Sequence, residues 1–67
     1  MKNTLLTNHH KAVIKVLRKE DLTSFQILNK LNNISLILVV YSLIDELRNM
    51  GILKSYVKED MKYYHLQ

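Results

Sequence analysis

The chain contains no cysteine, no proline and no tryptophan, and only one glycine. Without thiols it can form neither a disulfide nor a thiolate metal site, which is compatible with a reducing compartment. A single glycine, Gly51, cannot build a glycine-rich phosphate loop, and without proline there is no proline-marked domain boundary. The apolar run from Ile34 to Ile44 is interrupted by Ser35, Tyr41 and Ser42 and falls far short of the ~20 residues that a membrane span needs. Lys2 is not followed by a long apolar region ending in a small-residue cleavage site, so no signal peptide is expected. The expectation is a cytoplasmic protein with no membrane partner.

What is present fits one small domain covering residues 1–67. A chain of this size buries only ~60% of the surface its unfolded form exposes, so a second subunit would supply useful additional burial. Ten Lys and Arg against six Asp and Glu give a net charge of +4 and a pI near 9.5, compatible with a polyanionic partner. Lys11, Lys15, Arg18 and Lys19 fall at helical spacing and form either a solvated outer face or a basic stripe. His9 and His10 are adjacent and diverge by about 100° on a helix, so they cannot chelate one metal as an i, i+4 pair would. Asp45 with Glu46, and Glu59 with Asp60, are also adjacent pairs, placed on a helix face and in a turn rather than across a cleft. No enzyme, metal or cofactor is expected.

The clearest periodic signal lies between Val40 and Gly51. Val40, Leu43, Ile44 and Leu47 repeat at the 3.6-residue period of one buried helix face, while Asp45, Glu46, Arg48 and Asn49 fall between them. Gly51 follows where helices commonly end in a left-handed residue. Upstream, a helix over about 8–19 carries Val13, Ile14, Val16 and Leu17 on its apolar face, with Thr7 or Asn8 as N-cap. Leu5 and Leu6 either extend this helix or pack beneath it. Thr23 and Gln26 have capping-box spacing and open a second helix over about 24–31, bearing Ile27, Leu28 and Leu31. Asn32 and Asn33 stop it, Ser35 caps a third helix over about 36–50, and the turn between them spans about four residues.

Beyond Gly51, β-branched and aromatic residues cluster on either side of Lys58-Glu59-Asp60, predicting a hairpin over about 52–66. Alternation puts Leu53, Ser55 and Val57 on one face of its first strand, opposite Lys54, Tyr56 and Lys58, and puts Tyr64 and Leu66 together in the second strand. The interleaved tyrosines and lysines suit either an exposed Tyr56–Tyr63 cross-strand pair with Tyr64 in the core, or a stacking surface for single-stranded nucleic acid.

Three helices and a hairpin, with VYSLIDELRNMGIL at the join and YYHL near the end, resemble the winged helix-turn-helix domains of bacterial transcription regulators, the Fur and MarR families in particular. The resemblance covers about residues 8–67. It rests on Val40, Ile44, Leu47, Gly51, Ile52 and Leu53, which match the join between third helix and wing, and on Tyr64 and Leu66 at the end of the second wing strand. It implies a small regulator that binds double-stranded DNA, as a homodimer, with the third helix in the major groove.

The first turns of the third helix depart from that pattern, for Leu36, Ile37, Leu38 and Val39 stand where DNA-reading relatives carry Ser, Thr, Gln, Lys or Arg. Base edges are read chiefly by Arg, Lys, Asn and Gln. Two readings follow. In one, DNA is held mainly through its backbone by Lys54, Lys58 and Lys62 of the wing and by Lys11 or Lys30 of the helices, with Ser35, Tyr41 and Ser42 facing the groove. In the other, Leu38 and Val39, or Leu5 and Leu6, form a dimer interface or a docking surface for a protein partner.

Overall fold

The computed structural model describes residues 6–67, and Leu5 lies outside them. Three helices, α1 (Asn8–Leu17), α2 (Ser24–Lys30) and α3 (Ile37–Asn49), precede two strands, β1 (Leu53–Lys58) and β2 (Met61–Leu66). The predicted class, mainly helical with a C-terminal wing, is the observed one, and the helix boundaries differ by one or two residues.

Local chemistry explains the starts of α1 and α2. Thr7 caps α1: its hydroxyl accepts from the His10 backbone N–H, and the Thr7 backbone N–H donates to His10 Nδ1 at 3.0 Å. Thr23 caps α2 in the same reciprocal way with Gln26. Each box satisfies two backbone donors that the helix end would otherwise leave without a partner.

The third helix departs from expectation here. Ser35 does not cap it: the N-cap is Leu36, with extended backbone and no side-chain hydrogen bond. The link between α2 and α3 therefore runs from Leu31 to Leu36, longer than the expected turn. Packing explains the extra length, because Leu31 leaves the helix with extended backbone yet stays buried, and Ile34 is buried beside it. These two side chains pin the link to the core and set where α3 begins.

At its other end α3 closes as predicted. Gly51 is left-handed (φ 80°), its N–H bonds to the Arg48 carbonyl, and the Ile52 N–H reaches back to Leu47 at 2.9 Å. This paired return is a Schellman cap, which satisfies the last helical carbonyls and turns the chain into β1.

The strands pair antiparallel, Leu53 opposite Leu66 and Lys58 opposite Met61. Glu59 and Asp60 form the two-residue loop, both at positive φ, the requirement of a type I′ turn, which matches the right-handed twist of the strands. Leu22, between α1 and α2, adds a feature absent from the sequence reading. It bridges Tyr64 through two backbone hydrogen bonds of 3.2 and 2.7 Å. The wing is thus tied to the helices by main chain as well as by side chains.

The core joins all these elements. Val13, Ile27, Val40 and Leu47 are fully enclosed, with Leu17, Leu22, Ile44, Leu53 and Tyr64 around them. Burial of each such aliphatic side chain contributes roughly 1.5–3 kcal/mol, which is how a short chain offsets its ordering entropy. Val57, on the same sheet face as Leu53 and Ser55, is nevertheless 68% exposed. The outer half of the wing extends past the helices, so side-chain alternation alone does not bury it.

Candidate nucleic-acid interface

One turn of α3 sorts its residues by surroundings. Val40, Leu43, Ile44 and Leu47 face the core. By helical period the ridge directly opposite is Leu38, Ser42, Asp45 and Asn49, and all four are exposed. Glu46 flanks the ridge on one side and Tyr41 with Arg48 on the other.

The Glu46 flank faces α1. His10 is buried, and its Nε2 lies 2.5 Å from Glu46 Oε1. Because Nδ1 accepts the Thr7 N–H, the ring proton sits on Nε2 and is donated to the carboxylate. One side chain thereby completes a helix cap and clamps α1 to α3. The capping half of this role is local, while the partnership with Glu46, which stays exposed, joins distant segments. Thr7 followed three residues later by His10 was the available signal, an imidazole standing where a capping box usually has Glu or Gln.

The Tyr41 flank faces α2 and the wing. Ser24, buried in the first turn of α2, donates to the Tyr41 hydroxyl at 3.1 Å. Burial pushes the Tyr64 phenol above its ordinary pKa, neighbouring Tyr41 raises it further, and Arg48 opposes them. Tyr64 therefore remains neutral and polar-tipped beneath this flank. Beside it runs a polar groove lined by Asp45, Arg48 and Asn49 of α3 and by Leu53, Lys54 and Ser55 of β1. The Leu22–Tyr64 bridge anchors β2, and β2 in turn pairs with β1, the strand that forms one wall of this groove.

The residues expected to face DNA do not form one cluster. Tyr41 and Ser42 are exposed on α3, and Lys54 lines the groove with Arg48 and Asn49. Lys58 is on the sheet face with Lys54, whereas Lys62 pairs with Val57 on the opposite face, so the three wing lysines make no single stripe. Lys30 lies elsewhere, 3.7 Å from Glu20, in a groove with Lys15, Lys19, Asn32 and Asn33. Ser35 is exposed in the link. Arg48 and Asn49, which fall between the core positions of α3, join the groove, and the helical period places Asn49 in line with Leu38, Ser42 and Asp45.

The apolar candidates also separate. Leu38 is 74% exposed and Leu36 65%, and Phe25 at the start of α2 is 60% exposed. Val39, Ile37 and Leu6 are instead partly buried against the core. Val39 and Leu6 therefore act as packing residues, and Leu38 alone of the described interface candidates stands free. Phe25 was not anticipated, because it falls between the apolar positions of α2. Comparison with protein-family models and with curated proteins returned no match.

Proposed function

We propose that this chain is a winged helix-turn-helix protein that binds double-stranded DNA and serves as a small transcriptional regulator. The observation that carries the reading is the groove shared by α3 and the wing, where Arg48, Asn49, Lys54 and Ser55 converge. Arg48 and Lys54 are suited to phosphate, and Asn49 and Ser42 to base edges or sugar. Asp45 on the same ridge and Glu59 and Asp60 in the wing turn oppose phosphate, so affinity rests on few cations and base discrimination on few side chains. The test is anisotropy of a labelled duplex at about 50 and about 200 mM salt. Affinity falls with salt, and Arg48→Ala flattens the log–log slope by about 0.9. Absence of binding at the lower salt rejects the proposal.

A second reading is favoured by the exposure of Phe25 at the start of α2 and of Leu36 and Leu38 at the start of α3. Here α3 is a protein interface, including that of a homodimer, and has no access to a DNA groove. Sedimentation of the wild type and of Leu36→Ser/Leu38→Ser separates the two. A folded double variant that loses a wild-type dimer supports the interface, whereas unchanged association with weakened DNA binding supports the first reading.

A further inference from the structure

The sheet face opposite Leu53 and Tyr64 carries a second surface, of which the duplex reading uses only Lys54. Its register pairs Lys54 with His65, Tyr56 with Tyr63, and Lys58 with Met61, an aromatic centre with a lysine toward each end of β1. Tyr56 and Tyr63 stack with ring centroids 5.7 Å apart and planes within 14°. His65 meets the Tyr56 ring edge-on at 5.4 Å. The Tyr56 hydroxyl donates to Asp21 Oδ2 at 2.6 Å, which orients the ring, yet Tyr56 remains 38% exposed.

We infer that this face binds single-stranded DNA, an unpaired base stacking on the Tyr56–Tyr63 platform while its flanking phosphates meet Lys58 and Lys54. Three features support that occupant. Aromatic faces accept any base without needing its hydrogen-bonding edge, and a cationic track beside them is the recurring requirement of single-strand binding. The two lysines lie four residues apart on one strand, about 13 Å, leaving the rings between them. Asp21 beside Tyr56 and Glu59 with Asp60 at the turn oppose phosphate, so the affinity rests on stacking and on the two lysines. The hydrogen bond to Asp21 fixes the Tyr56 ring in advance, which lowers the ordering cost of stacking. A duplex, whose bases are already stacked on one another, offers no free base face to this surface.

The chain has four tyrosines and no tryptophan, and two of the four form the platform, so its intrinsic fluorescence includes the platform's emission. Titration with a short oligothymidylate is expected to quench that emission in a saturable, salt-sensitive way. Tyr56→Leu should weaken binding about tenfold or more, whereas Tyr56→Phe, which keeps the ring, should stay within about threefold of wild type. Lys58→Gln, which leaves the stacked pair intact, should weaken binding and flatten its salt dependence. Circular dichroism checks that each variant is folded. Wild-type affinity in folded Tyr56→Leu, or in Lys58→Gln if the former unfolds, overturns the inference and leaves the tyrosine pair a ladder stabiliser only. Arg48→Ala, measured on duplex and on oligothymidylate, keeps this result separate from the α3 reading, because it should impair the former alone.

Discussion

Thr7 and Thr23 begin α1 and α2 with reciprocal hydrogen bonds, whereas α3, the longest helix, begins at Leu36 without a side-chain cap. The difference shows two ways of fixing a helix start. A capping box acts within four residues and works wherever the sequence supplies it. The start of α3 depends on Leu31 and Ile34 anchoring the preceding link and on Val40, Leu43, Ile44 and Leu47 meeting the rest of the core. Its first turn is then free to carry exposed Leu36 and Leu38, which are the residues that make its function the hardest to read.

The contrast can be broken most severely from the side of packing. Leu47→Ala should cost about 2–5 kcal/mol, enough to unfold much of a domain this small, read as loss of helical circular dichroism or a collapsed urea midpoint. Retention of most of the stability would mean that α3 does not depend on that packing. Thr23→Ala should cost about 1 kcal/mol through the lost cap, with Thr7→Ala similar, both measured by urea titration at constant m-value.

A double-mutant cycle of His10→Ala and Glu46→Ala should return a coupling of about 0.5–1.5 kcal/mol for the α1–α3 hydrogen bond. Additive losses would show that the pair contributes nothing across the helix interface. Leu36→Asp should run in the opposite direction. It supplies the missing acceptor and places a negative charge at the helix N-terminus, raising stability by about 0.5–1 kcal/mol. A neutral or lower urea midpoint would imply that Leu36 has a packing role its exposure conceals. Smallest of all, Leu38→Ser should change stability by less than about 0.5 kcal/mol, so any large effect of that variant on association or DNA binding belongs to the surface.

Much of this architecture is legible because its signals are local. The spacing of Thr23 and Gln26, the period from Val40 to Leu47 and the position of Gly51 each specify backbone conformation within a few residues. The Tyr56–Tyr63 pair was likewise one of the two readings that strand alternation allowed. The candidate site was less legible, since it joins residues that sequence separates. Arg48 and Asn49 acquire meaning only beside Lys54 and Ser55, and His10 only beside Glu46, thirty-six residues away.

The sequence by itself determined three helices, a left-handed closure at Gly51 and a hairpin turning at Glu59-Asp60, because hydrogen-bond capping, glycine's freedom at positive φ and side-chain periodicity all act over a few residues. Tertiary structure alone decided that Ser35 caps nothing, that Val39 packs inward while Leu38 stays out, and that Leu22 ties the wing to the helices. Those outcomes depend on which surfaces the core has room to bury and on backbone pairing between distant segments, neither of which is set by a residue's neighbours along the chain.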